Sequence, residues 1–460
     1  MDWFAVIPPL IAIIVVFWRK EVIIALLLGI LSSEFLLSWQ AGDSAAPLWQ
    51  FTGHTIERII GVFSSASNTR ILVFSLLIGA LLALIRESGG VAALVEKLLR
   101  NGIGKTRRQA SLMTMFTGIV IFIESNLSVL TAGILSRGMF EKLGMSRARL
   151  AYIIDSTSAP VCILILLNGW GAYVMGMLDQ HELGASSVSI LWQSVPFNFY
   201  AILTLALVFY TAFTGRVHGP LRRLEAQPQP SQDIPEQVPS QSKARFMLVP
   251  IVVLVLGMIG FMFGTGGGDL TQGDGSKSVL YATALACVVA YLQLLIARRF
   301  SHHQLVEFGF KGMGELLPLV SIVLLSLALG SSLRDLGTGV FLAGLVGDFL
   351  PFWLIAPMLF IAGALISFTT GTSWGTFAIL IPIAAPMVIA LELPAPLLLA
   401  AVLSGGVFGD HCSPISDTTA VSSLASGCDI LEHVRTQLPY ALTAGAGALI
   451  LFTLCGFWLI

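Results

Sequence analysis

Four carboxylates stand inside stretches that are otherwise apolar: Glu124, Asp155, Asp410 and Asp417. A charge at the centre of a bilayer costs about 2.5–3.5 kcal/mol or more, so such groups are rarely kept without a use. Each lies in a run of small, hydroxylated or helix-breaking residues. Glu124 begins Glu124-Ser125-Asn126, with Ser128 following, and Asp155 begins Asp155-Ser156-Thr157-Ser158-Ala159-Pro160. The longest run is Gly409-Asp410-His411-Cys412-Ser413-Pro414-Ile415-Ser416-Asp417-Thr418-Thr419, preceded by Ser404-Gly405-Gly406, which reads as a further interruption. Pro160 removes an amide donor and disfavours helix at Ala159. Inside a membrane, non-helical backbone is tolerated only where it lines a cavity or a site. The freed carbonyls, with hydroxyls and carboxylates, are hard oxygen ligands suited to sodium. A desolvated carboxylate also takes up a proton readily, and competition between proton and cation for one such group is the simplest physical route to sodium/proton exchange.

The candidate ligands are therefore Glu124, Ser125 and Asn126; Asp155, Ser156, Thr157 and Ser158; Asp410, Ser413, Asp417 and Thr418; and Thr370, Thr372 and Ser373 from Thr369-Thr370-Gly371-Thr372-Ser373-Trp374-Gly375-Thr376. Asp155 and Asp410 are the leading sodium-binding groups. Blander roles stand beside these. Asp417 could cap the helix that follows it, Glu124 could face cytoplasmic water, and small hydroxylated residues also serve close helix packing. His411 reads as structural support, with a proton relay or a metal ligand as the alternatives, and Trp170 as packing or a pocket wall.

The elements that must hold these residues follow from composition. Of 460 residues, 56% are hydrophobic and 11% charged, about half the usual charged fraction. Several stretches are long enough to cross a bilayer as helices, so an all-α polytopic membrane protein is predicted. The segment Asp2 to Trp18 lacks a basic start and a small-residue cleavage site and reads as a retained first span. The five cysteines have neither paired nor metal-ligand spacing. No metal triad or nucleophile–base spacing points to an enzyme, and no cofactor or nucleic-acid partner is indicated.

The excess of Lys and Arg in short cytoplasmic loops sets orientation. With the chain starting outside, spans at 3–18, 21–38 and 71–85 lead to a basic loop. Residues 109–136 then form a re-entrant hairpin with its tip at Glu124-Ser125-Asn126. A broken helix at 150–177 and a span at 188–214 follow. A Pro/Gln/Ser-rich cytoplasmic linker at 215–245 separates this half from spans at 246–263, 278–297 and 315–333, a second hairpin at about 354–391, a broken helix at 395–428 and a last span at 436–460. This arrangement places 21 of the 25 Lys and Arg inside, all but Arg58, Arg70, Lys277 and Arg334. Both termini are then external, in a bacterial inner membrane.

Two internal echoes run in the same order in each half. Ile85-Arg86-Glu87-Ser88-Gly89-Gly90-Val91 resembles Leu333-Arg334-Asp335-Leu336-Gly337-Thr338-Gly339-Val340, each opening a short amphipathic segment, and the Asp155 run resembles the Asp410 run. Similar halves of opposite orientation are the inverted-repeat signature of secondary transporters. Residues 1–214 and 246–460 are the two repeats, each with about five membrane helices and one hairpin.

The run Gly409 to Thr419 resembles the signature of the NhaC family of sodium/proton antiporters, and Ala151-Tyr152-Ile153-Ile154-Asp155-Ser156-Thr157-Ser158-Ala159-Pro160-Val161-Cys162 resembles that family's corresponding segment. The resemblance implies sodium/proton exchange by alternating access, with an elevator-like movement of the hairpin-bearing domain against a scaffold, and by analogy a homodimer. Glu124-Ser125-Asn126 and Leu167-Asn168-Gly169-Trp170 depart from the family pattern. These departures keep open a sodium-coupled transporter or exchanger of a small organic solute, an amino acid or carboxylate.

Overall fold

The computed structural model describes residues 3–40, 48–90, 105–122, 124–165, 168–181, 183–226, 242–338 and 350–460, with 93, 94, 97, 341 and 344 besides. Every regular element among them is helical. Two packed helices, α1 (Ile7–Arg19) and α2 (Val22–Gln40), precede α3 (Leu48–Gly61) and α4 (Ala66–Glu87). A hairpin of α5 (Arg107–Val120) and α6 (Ser125–Lys142) follows. The first broken segment is α7 (Arg147–Ser156), α8 (Ala159–Cys162) and α9 (Gly169–Leu178). Next come α10 (Ser187–Ser194), α11 (Phe199–Thr214) and α12 (Gly219–Glu225).

The second half holds α13 (Arg245–Thr265), α14 (Gly275–Ile296) and α15 (His302–Asp335). Its hairpin is α16 (Ile355–Thr370) and α17 (Ser373–Ala390), its broken segment α18 (Ala395–Cys412) and α19 (Asp417–Ser426), and α20 (Ile430–Leu459) closes the chain. Ten helices among the described residues are long and apolar enough to cross a membrane.

Besides the span read at 188–214, which a turn at Val195–Phe197 divides into α10 and α11, three elements differ from the sequence reading. The residues Ser404-Gly405-Gly406 and Gly409 do not interrupt α18, which runs unbroken to Cys412; the break is at 413–416. Their small size serves a helix crossing: a Cβ on Gly405 would lie 2.4 Å from Phe360 O and one on Gly409 2.2 Å from Ala364 O, both on α16. The span read at 315–333 begins at His302, because Ser301 and Gln304 form a capping box and the polar first turns continue the helix below the apolar stretch. The third is α3, a segment to which the sequence reading assigned no element; its apolar residues alternate with His54, Glu57 and Arg58. Val91, Leu167, residues 227–241 of the linker, and Gly339 and Val340 of the second amphipathic segment lie outside the described residues.

Two large apolar clusters, beside a small one of Ala5, Leu36 and Leu336, pack the described residues. The larger joins α1, α2, α4, α9 and α14 to α18; the smaller joins the first hairpin, α7 and α19. Within the first, α4 and α15 cross at Gly79 and Gly312, where a Cβ on Gly312 would lie 2.1 Å from Gly79 O. Gly312→Leu is therefore expected to lower the stability of the detergent-solubilised protein by roughly 1–3 kcal/mol, the usual range for overpacking. Gly314→Leu, at a glycine with nothing within 4 Å of an added Cβ, should melt like the parent. Equal melting of the two variants would show that the crossing is not tight.

Candidate ion-binding site

The first broken segment stops at Ser156 because its own hydroxyls satisfy the backbone. The Ser158 hydroxyl and amide both donate to Asp155 O (2.8 and 3.1 Å), and Thr157 Oγ1 donates to Ile153 O at 2.8 Å. The first hairpin lies directly on this break, since a Cβ on Gly118 would meet Thr157 Oγ1 at 2.3 Å. Its tip is held farther along, where Asn168 Nδ2 donates to Phe122 O at 3.0 Å.

Asp155 is fully buried. Its Oδ2 accepts from Gln437 Nε2 at 2.7 Å and lies 3.1 Å from His433 Nε2 and 3.7 Å from His411 Nε2. His411 also contacts Ser156 Oγ at 3.2 Å and the Tyr200 hydroxyl at 2.6 Å, while Gln437 Nε2 donates a second bond to His411 O. Sequence reasoning missed His433, Gln437 and Tyr200. The first two stand four residues apart on one face of α20, and this polar pair on a long apolar helix is the signal that could have found them.

Asp410, the neighbour of His411 on α18, is 2% exposed, and its Oδ2 accepts from Ser373 Oγ at 2.8 Å. Successive residues of one helix thus serve both leading carboxylates. Ser373 begins α17, and Thr372 caps that helix by accepting from Gly375 N. The second hairpin tip reaches the break at 413–416 through Gly371, at φ 68°, where a Cβ would sit 2.6 Å from Ile415 O. Ser413 Oγ fastens the same contact by donating to Phe368 O at 2.7 Å.

Asp417 is exposed and forms the rim of this second site. Its Oδ1 accepts from Thr418 N at 2.9 Å, and Asn126 Nδ2 from the first hairpin approaches Oδ2 at 3.5 Å. Ser416, not Asp417, caps α19, and its hydroxyl meets Thr418 Oγ1 at 3.0 Å. Glu124 caps α6 through Leu127 N at 2.6 Å and receives Ser125 Oγ at 3.4 Å. The structure thus gathers Asp410, Ser373, Asp417, Thr418 and Asn126 on one side of α18 and Asp155 with Ser156 on the other. Thr370 turns back to Ile366 O on its own helix (2.9 Å), and Trp170 packs on Trp374 and Phe377.

Four buried acceptor oxygens have no hydrogen-bond donor: Asp155 Oδ1, Gln437 Oε1, Asp410 Oδ1 and Asn126 Oδ1. Buried polar atoms are normally satisfied, and groups that only accept call for a cation or a proton. No cluster of three or more His, Cys, Asp or Glu with metal-holding geometry occurs among the described residues.

Comparison with known proteins gives a consistent picture. The model of a family described as the Na+/H+ antiporter family matches residues 161–457. An uncharacterized protein of Haemophilus influenzae is 32% identical over 98% of this chain and 91% of its own length. A malate-2H(+)/Na(+)-lactate antiporter of Bacillus subtilis is 42% identical over 22% of this chain and 23% of its own. The arginine/ornithine antiporter ArcD of Halobacterium salinarum is 29% identical over 51% and 46%. Among solved structures, the YdaH transporter of Alcanivorax borkumensis shares the fold, with a TM-score of 0.59 and 13% identity over 88% of this chain and 89% of that one.

Proposed function

Because this chain belongs to the Na+/H+ antiporter family, we propose that it is a secondary transporter exchanging sodium for protons across a bacterial inner membrane by alternating access. The observation that carries this reading is the pair of buried carboxylates, each with one oxygen lacking a donor, on the two sides of α18. A cation at either would neutralise a charge that is costly to leave bare in the membrane. Asp155 and Asp410 are the competing groups, with Ser373, Asn126, Asp417 and Thr418 as ligands or supports at the second.

The movement we assign to this cycle is an elevator-like displacement of the two hairpins and two broken segments against the remaining helices. Each hairpin is tied to the broken segment of its own half through a phenylalanine carbonyl: Phe122 O takes Asn168 Nδ2, and Phe368 O takes Ser413 Oγ. That correspondence supports a repeated unit of inverted orientation, and a homodimer would give such a unit a fixed scaffold.

A second reading, sodium-coupled exchange of a small organic solute, is favoured by a polar cavity of about 670 Å³, far larger than an alkali ion needs, and by the organic substrates named for two of the relatives. Purified protein in liposomes enclosing a pH-sensitive dye separates the two. Sodium added outside should change internal pH with no other solute present. If sodium moves no protons until an organic solute is supplied, the first reading fails and the second stands.

A further inference from the structure

The 670 Å³ cavity lies between α2, α3, the start of α4, the end of α9 and the last turns of α15. Its volume falls within the roughly 300–1,000 Å³ usual for small-molecule sites. Part of its wall is self-satisfied: Glu34 accepts from Arg58 Nε at 2.7 Å and Ser332 Oγ at 2.8 Å, and Arg58 Nη1 reaches Asp335 at 2.6 Å. Three other charged residues lining it, Glu57, Asp179 and Arg334, make no salt bridge among the described residues. Arg334 donates to the Gln180 carbonyl and Asp179 accepts from Ser67 Oγ at 3.2 Å. Beside them Gln180 Nε2 is buried with no acceptor. His181, next in the chain, adds no positive charge near pH 7, because burial and then the Arg334 guanidinium push it down to about 4.

We propose that this cavity captures an amino acid bearing a second cationic group, its carboxylate on Arg334 and the Gln180 amide and its ammonium groups on Glu57 and Asp179. The proposal rests on the second reading above, solute exchange. A bare cation would leave Arg334 and Gln180 Nε2 unanswered, and a simple carboxylic acid would leave both acidic groups so. Charged groups of both signs without an ion-pair partner among the described residues, with the acids in excess, select the doubly functional ligand. Position agrees with a capturing role. Arg58 and Arg334 are two of the few basic residues that the charge distribution places outside, and both are in the cavity wall. From Gln180, α9 runs back for ten residues, about 15 Å, to Trp170. That ring packs on Trp374, the neighbour of the Asp410 partner Ser373.

The test uses the full chain in lipid nanodiscs with L-lysine, cadaverine and succinate as calorimetric probes, and a sodium-dependent melting shift as the control. Lysine should bind and succinate should not. Glu57→Gln and Arg334→Gln, both at exposed side chains, should each weaken lysine by about tenfold or more, the loss expected for a charge-assisted hydrogen bond. Arg334→Gln should leave cadaverine, which has no carboxylate, unweakened. Neither variant should alter the sodium shift. Absence of lysine binding to the parent protein, or unchanged binding to both variants, overturns the proposal. A sodium shift that persists in that case leaves cation binding at the carboxylates standing, whereas its loss as well counts against the exchanger itself.

Discussion

Asp410→Asn is expected to abolish sodium-driven proton movement, with the rate down by about 100-fold or more, while melting stays near that of the parent. The asparagine carbonyl still accepts from Ser373 Oγ, and the close contacts of Gly405 and Gly409 with α16 are untouched. The carboxylate charge is lost. Removing one member of a buried ion pair costs roughly 3–5 kcal/mol, and every 1.4 kcal/mol is a factor of about ten. The liposome assay with the pH dye reads the rate. A variant within threefold of the parent would remove Asp410 from ion handling.

Asp155 calls for a paired experiment, because it is also the hub of a buried hydrogen-bond network. Asp155→Ala leaves Gln437 Nε2 with one acceptor fewer and takes from His433 Nε2 its hydrogen-bond partner among the described residues. It should cost about 1–3 kcal/mol for each donor left unsatisfied and stop transport. Asp155→Asn can present its carbonyl where Oδ2 now lies, so stability should hold. Its amide then replaces the partnerless Oδ1, and a donor stands where a cation or proton belongs. Transport should therefore fall about as far as in Asp410→Asn. If the asparagine variant transports normally and only the alanine variant fails, Asp155 is a structural anchor.

The carboxylates were legible in the sequence because their cost is local: a charge flanked by Ser, Thr, Gly and Pro in an apolar run stands out without knowledge of its neighbours. The turns between paired helices in 109–136 and 354–391 were legible for the same reason, since Glu124-Ser125-Asn126 and Thr370 to Ser373 interrupt apolar runs, although α6 continues to Lys142. The partners were not. His433, Gln437 and Tyr200 reach Asp155 and His411 from helices hundreds of positions or a few dozen away, and nothing near them in the chain marks the meeting. Ser404-Gly405-Gly406 was misread because one composition serves two ends, breaking a helix or letting another approach, and only the position of α16 decides between them. The amphipathic α3 escaped a search for apolar runs, and with it went Arg58 and the cavity wall.

The hairpin turns have an electrostatic consequence. Three helices begin around the second site, α6 at Ser125, α17 at Ser373 and α19 at Asp417, each bringing first-turn amides that Glu124, Thr372 and Ser416 cap in part and an effective charge of about +0.5. Together they amount to about half the charge that Glu124, Asp410 and Asp417 carry when all three are ionised. In the exchange cycle proposed above, an arriving ion would meet a field already partly cancelled by backbone dipoles, which favours release on the other side as well as capture. Tight capture would serve a storage protein. A site that must empty on every cycle is better served by this half-compensated well.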